Sequence, residues 1–275
     1  MYLFHQILYQ KDSQEKLFRN ILKEKGIMVG IKLDQATAPL AGTETTVQWL
    51  YCLSEHCTQY KKDGATFGKW HAVLRIADQC PFNFDIQENA YTLAHYPENG
   101  LVSIVQLVVI PDGDHDMDYC QYVTKIVLAA FHKALNDNCV YLESTLKPNM
   151  VTSGHACSKM YTPEQVMATT TALHCTIPAI ISAICFLSIG MSKKDATLNL
   201  NAINLCLLLR PWKLSFSYAN QCTCCLQSQV CKQETTQETF MKQAMPCQTA
   251  KRQYIHMSSS ATASIQSLFT TSYTH

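Results

Sequence analysis

Leu101-Val102-Ser103-Ile104-Val105-Gln106-Leu107-Val108-Val109-Ile110 is an apolar, β-rich run, and a polar turn, Pro111-Asp112-Gly113-Asp114-His115-Asp116, follows it at once. Beyond that turn the pattern changes to a helical stretch over Asp118–Asn136. The same unit recurs along the chain. Strands are expected near Tyr2–Phe4, Ile27–Leu33, Trp70–Ile76, Leu101–Ile110, Val140–Leu146, Ala183–Ser188 and Leu214–Tyr218. Helices are expected over Lys11–Lys25, Thr162–His174 and Ser192–Leu209, the last opened by an N-cap box at Ser192-Lys193-Lys194-Asp195. Strands alternating with helices imply an α/β fold with a parallel sheet covered by helices. No internal repeat and no linker interrupts the pattern, so one domain is expected, with a flexible Ser/Thr-rich tail from His256 to His275.

The bulk numbers exclude more than they assign. A chain of 275 residues can bury a sizeable core. A net charge of +1 offers no electrostatic footprint for nucleic acid or an anionic membrane. The apolar part of Ala172–Met191 is too short to span a bilayer and contains Pro178. The opening Met1-Tyr2-Leu3-Phe4-His5 lacks a charged n-region, so the 14 cysteines read as free thiols of a cytoplasmic protein. The cluster Cys222, Cys224, Cys225 and Cys231 lacks paired C-x-x-C knuckles, and no zinc site is expected there. Asp112, Asp114 and Asp116 alternate like a calcium loop, but Met117 and Val123 stand where that loop needs Gly and Glu. No metal and no cofactor is expected.

Lys147 is the candidate nucleophile. It ends an apolar β-like segment and precedes Pro148, a placement that suits a buried, neutral amine. A surface lysine at a strand-to-loop junction has the same local pattern.

Several ordered runs resemble the class I, Schiff-base fructose-bisphosphate aldolases. They include Gly30-Ile31-Lys32-Leu33-Asp34, Ala38-Pro39-Leu40-Ala41-Gly42-Thr43, Phe67-Gly68-Lys69-Trp70, Ile110 to Asp116, and Leu146-Lys147-Pro148-Asn149-Met150-Val151-Thr152. Asn199-Leu200-Asn201-Ala202-Ile203-Asn204 and Pro211-Trp212-Lys213-Leu214-Ser215-Phe216-Ser217-Tyr218 continue the match, and the tail is most similar to the liver-type branch. The resemblance implies a TIM (β/α)8-type barrel over residues 1–255 that lacks the family's first strand and preceding helices. The family's catalytic Asp lies on that strand.

The resemblance also implies roles. Lys147 matches the Schiff-base lysine, Lys69 a second active-site lysine, and Lys32 a third. Ser188, Gly190, Ser217 and Asn220 fall at phosphate-binding positions. Several positions depart from the family pattern. Gln106 stands where the family carries an acid/base glutamate, and a carboxamide does not titrate. His71 replaces an arginine, Ser188-Ile189-Gly190 replaces Ser-Gly-Gly, Ala219-Asn220 replaces Gly-Arg, and His275 replaces the terminal Tyr. One residue is missing before Lys147, which in a strand turns each later side chain to the other face unless the backbone bulges. The expectation is therefore an aldolase-family chain whose cleavage of fructose 1,6-bisphosphate is lost or strongly impaired. The alternatives are a non-catalytic scaffold or the translated remnant of a decayed gene copy. The resemblance further implies a sugar-phosphate ligand and a homo- or hetero-tetramer with intact subunits.

Overall fold

A computed structural model describes residues 1–34, 37–40, 45–47, 52–77, 81–95, 100–138, 145–174, 177–188, 190–207 and 212–217. Asn220, the cysteine cluster at 222–231 and the tail expected over 256–275 lie outside these residues, as do residues 140–144 of the strand expected over Val140–Leu146. The strands are β1 (Tyr2–Leu3), β2 (Gly30–Lys32), β3 (Thr37–Pro39), β4 (Thr45–Val47), β5 (Phe67–Arg75), β6 (Val102–Ile110), β7 (Thr145–Leu146), β8 (Ala183–Phe186) and β9 (Lys213–Phe216). The helices are α1 (His5–Tyr9), α2 (Phe18–Glu24), α3 (Leu53–Lys62), α4 (Asn83–Ala94), α5 (Met117–Asp137), α6 (Pro163–His174) and α7 (Lys193–Leu205).

Of the helix expected over Lys11–Lys25, only Phe18–Glu24 forms, as α2; α1 lies before that range. Asp12 keeps the intervening segment out of the helix: its carboxylate accepts from the backbone N–H of Gln14 at 2.8 Å and of Lys16 at 2.9 Å. A short acidic side chain that satisfies nearby N–H groups competes with the helix ladder. Glu15 then takes a left-handed φ of 63°, and Lys11 bridges Leu17 antiparallel. The helix expected to reach Leu209 ends at Leu205, while its predicted start holds: Ser192 Oγ accepts from Asp195 N at 3.1 Å. Asp116 caps α5 in the same way, accepting from Tyr119 N at 3.0 Å. The three aspartates thus serve a loop and a helix start.

Seven strands form one parallel sheet in the order β1-β2-β5-β6-β7-β8-β9, while β3 and β4 form a separate antiparallel pair. The register aligns Lys32, Lys69, Ile104, Thr145, Ala183 and Lys213 in one row. Side chains alternate along a strand, so this row and every second residue from it share a face. The opposite face carries Leu3, Ile31, Trp70, Leu74, Val105, Leu146, Ile184 and Phe186, all in the main core packed with the helices. The first face carries a smaller buried apolar cluster, Val108, Ile110 and Leu187 with Val73. That face also holds Lys32, Lys69, His71, Gln106 and Cys185, with Tyr2, Phe67, Val102 and Ile104 towards the N-terminal ends of the strands.

The sheet curls around this polar face. Strands β1 and β7 are four places apart, about 19 Å in a flat sheet. The Lys147 amine just after β7 nevertheless lies 5.5 Å from the centroid of the Tyr2 ring on β1. The polar face is therefore the lumen of a half-barrel. The expected architecture holds: seven parallel strands of an α/β barrel, with β1 and β9 as the two edges of the described sheet.

The loops at the C-terminal ends of β6 and β7 interlock. Gly154 N donates to His115 O at 2.8 Å, His155 N to Pro111 O at 2.9 Å and Ala156 N to Gly113 O at 2.8 Å. A Cβ on Gly154 would sit 2.3 Å from the Gly113 carbonyl oxygen, a backbone atom with no room to retreat. Gly154→Ala is expected to destabilise the chain by about 1–3 kcal/mol, read as a lower urea midpoint. An unchanged midpoint would show that the loops are free to separate.

Candidate active site in the barrel lumen

Backbone alternation resolves the register question at Lys147. Leu146 is fully buried on the helix side, so Lys147 turns to the lumen, 5% exposed. The ladder carries past the end of β7: Lys147 N donates to Val105 O at 2.7 Å. The next residues are clamped as well. Asn149 Oδ1 accepts from Val109 N at 3.1 Å, and Pro148 O accepts from Leu187 N at 3.1 Å. The Lys147 backbone is thus tied to β6 and to the segment after β8, which fixes where its side chain begins.

The Lys147 amine donates to Gln106 Oε1 at 3.0 Å. Burial pushes this amine below the ordinary lysine range, against the opposing pull of Cys185 and Asp34. Lys69, near the start of β5, is 3% exposed. Burial drives its amine from 10.5 down to about 7; Lys147 and Lys32 push the same way, while Asp34 opposes them. Burial is therefore the chief cause at both lysines, ahead of repulsion between ammonium groups.

Asp34 is the hub that sequence reasoning missed. Lys32 Nζ lies 2.9 Å from Asp34 Oδ2, His71 Nδ1 2.6 Å from the same oxygen, and Lys69 Nζ 3.9 Å from Oδ1. Burial raises the Asp34 carboxyl, but the His71 hydrogen bond and the Lys69, His71 and Lys32 charges outweigh it, and its pKa is lowered overall. His71 is lowered chiefly by burial, partly offset by its hydrogen bond to Asp34. A signal was available: Lys32-x-Asp34 and Lys69-x-His71 are period-2 pairs, each pair on one face of its strand. Tyr2 was missed too; both the Lys147 and the Lys69 amines lie over its ring, at 5.5 and 5.8 Å from the centroid.

The expected phosphate positions lie at the C-terminal ends of β8 and β9. Ser188 O accepts from Met191 N at 3.3 Å, and Gly190 adopts φ +70°. A Cβ on Gly190 would lie 2.1 Å from His155 Nε2, so this turn both needs the left-handed conformation and packs bare backbone on an imidazole. Ser217 N donates to Phe186 O at 3.2 Å, one step beyond β9. Lys147, Lys69, Lys32 and Gln106 thus meet in the lumen, with Ser188, Gly190 and Ser217 at the ends of the adjacent strands.

This site can do two things chemically. Two amines, of Lys32 and Lys69, and the His71 imidazole lie within 3.9 Å of the buried Asp34 carboxylate, so the lumen offers several N–H donors to an anionic ligand. A buried amine with a lowered pKa is a competent nucleophile toward a carbonyl.

The buried amines also set the pH dependence of folding. Between about 7 and 10.5 an unfolded Lys69 holds a proton that the folded one has released, so stability rises with pH across that window. Lys147, His71 and Asp34 are all lowered and act with the same sign, each between its folded and ordinary values. Cys57 opposes them above 9.0, because burial raises its thiol to about 11. The thermal midpoint is expected to climb from pH 7 to pH 9 and then flatten. A midpoint that falls over that interval would mean that Lys69 is hydrated.

The chain also has known relatives. Residues 1–275 match the family profile for fructose-bisphosphate aldolase class-I. Fructose-bisphosphate aldolase B of Homo sapiens is 66% identical over 286 positions, covering 99% of this chain and 79% of that protein. The aldolase B of Oryctolagus cuniculus is also 66% identical, over 290 positions, with the same coverage. Among solved structures, fructose-bisphosphate aldolase from Plasmodium falciparum, in a ternary complex with TRAP and a small-molecule inhibitor, superposes with a TM-score of 0.85. It is 35% identical, over 93% of this chain and 78% of its own. No described helix is long and apolar enough to cross a membrane. Agreement of this depth, in sequence along nearly the whole chain and in the order and curl of the sheet, admits one conclusion: the chain belongs to the class-I fructose-bisphosphate aldolases, on the liver-type side of that family.

Proposed function

We propose that this chain captures a phosphorylated ketone on Lys147 as a Schiff base, and that full cleavage of fructose 1,6-bisphosphate is lost or strongly impaired. The contact between Lys147 Nζ and Gln106 Oε1, at 3.0 Å, carries this reading. The amine is buried, lowered in pKa and aimed into the lumen, so the nucleophile is in place. Its neighbour is a carboxamide, which orients the amine through a hydrogen bond but neither takes nor gives a proton. In this reading Lys32, Ser188, Gly190 and Ser217 receive phosphate, with Asn220 a weaker partner than a guanidinium would be. The chain works in the cytoplasm and assembles as a homo-tetramer or with intact aldolase subunits.

The test is a coupled assay of fructose 1,6-bisphosphate cleavage beside an intact liver-type aldolase. A positioned acid/base is worth about 10²–10⁴-fold, so turnover is expected to fall by at least that lower bound. A rate within about tenfold of the intact enzyme would overturn the impairment.

A further inference from the structure

The N-terminal segment lays aromatic rings against all three lumen lysines. The Lys69 and Lys147 amines lie over the Tyr2 ring at 5.8 and 5.5 Å, and the Lys32 amine lies over the Phe4 ring at 5.3 Å. Tyr2 aligns with Gly30, Phe67 and Val102, which places it on the lumen face of β1. Strand β1 is an edge of the described sheet, and the one carboxylate paired with these lysines there, Asp34, is held by Lys32 and His71. An aromatic face is electron-rich and attracts an ammonium group within about 6 Å of the ring centroid. We propose that Tyr2 is a positioning residue whose ring holds the Lys69 and Lys147 amines side by side in the lumen, sharing with Asp34 the task of balancing their charge.

The groups facing these amines are Lys32 and Asp34 from β2 and its end, His71 from β5, and Cys185 from β8. Gln106 from β6 holds Lys147 through a neutral contact.

The experiment is an NMR pH titration of protein carrying lysine labelled with ¹³C at Cε. Tyr2→Leu and Tyr2→Met keep apolar bulk and remove the ring, and Tyr2→Phe keeps the ring. The ring-free variants are expected to shift the protonation equilibrium of both amines toward the neutral form, by about three- to thirty-fold, while Tyr2→Phe leaves it in place. Unmoved or upward midpoints in the ring-free variants would overturn the proposal, because the ring would then only exclude water. An equal shift in Tyr2→Phe would also overturn it, assigning the effect to the phenol oxygen. The unaltered chain gives a second readout: the Hε protons of both lysines shift upfield over the ring, and ordinary shifts overturn the placement whether or not the variants fold. The proposal rests on the lumen as the amine site and not on ketone capture. Upfield lysine signals without any trapped ketone would sink the capture reading alone.

Discussion

Gln106→Glu is expected to accelerate Schiff-base formation with dihydroxyacetone phosphate by about 10²-fold, the lower end of what a positioned acid/base contributes. Residue 106 needs only a change of one atom in its head group, and its backbone is fixed by nine paired positions between β5 and β6. The carboxyl would occupy the place of an oxygen now 3.0 Å from the Lys147 amine. Burial raises a carboxyl pKa and a neighbouring ammonium lowers it, so the two influences oppose each other on the introduced carboxyl. The group can then supply the proton that the departing hydroxyl of the carbinolamine requires. Gln106→Met is the control: it keeps the volume, removes the hydrogen bond to Lys147 and should slow capture. Rapid-quench trapping of the adduct as a function of time gives the rate. An unchanged rate in Gln106→Glu would show that Lys69, whose amine titrates near 7, already carries this proton.

Lys147→Met is expected to remove the borohydride-dependent adduct entirely. Only a primary amine can condense with the ketone and lose water to give the imine, and methionine fills similar volume with a thioether that has no N–H to lose. Stability should change little, within about 1 kcal/mol, because relief from burying an amine offsets the lost hydrogen bond to Gln106. Lys69→Met, by contrast, leaves the nucleophile and should slow capture without abolishing it. Peptide mapping after reduction separates the outcomes. A persistent adduct that maps to Lys69 in Lys147→Met would reassign the nucleophile.

Much of this arrangement could be read from the residues alone. The order of the seven strands comes from the β-rich runs, since among the described residues each of the first six is succeeded by a helical segment before the next parallel strand. Lys147, Lys69 and Lys32 announce themselves by their runs. The break at Asp12 was hidden because a helical pattern of apolar residues continues on either side of it, and only the two N–H groups captured by its carboxylate show why the chain turns. Asp34 and Tyr2 were hidden for a different reason. Asp34 becomes a hub only once β2 and β5 are in register, which brings Lys69 and His71 beside it. Tyr2 reaches Lys147 only because the sheet curls, bringing together residues 145 positions apart in sequence. The missing residue before Lys147 pointed to a flipped side chain. The described segment begins at Thr145, and alternation from Leu146 returns Lys147 to the lumen.

The most direct measurement treats one preparation of the chain with dihydroxyacetone phosphate and borohydride, maps the reduced adduct by mass spectrometry, and assays fructose 1,6-bisphosphate cleavage on the same sample. The predicted result is a single adduct on Lys147 with cleavage at least about 10²-fold below an intact liver-type aldolase treated in parallel. No adduct on Lys147, with the control protein labelled, would contradict the account, because it would mean that the buried amine beside Gln106 does not meet a ketone.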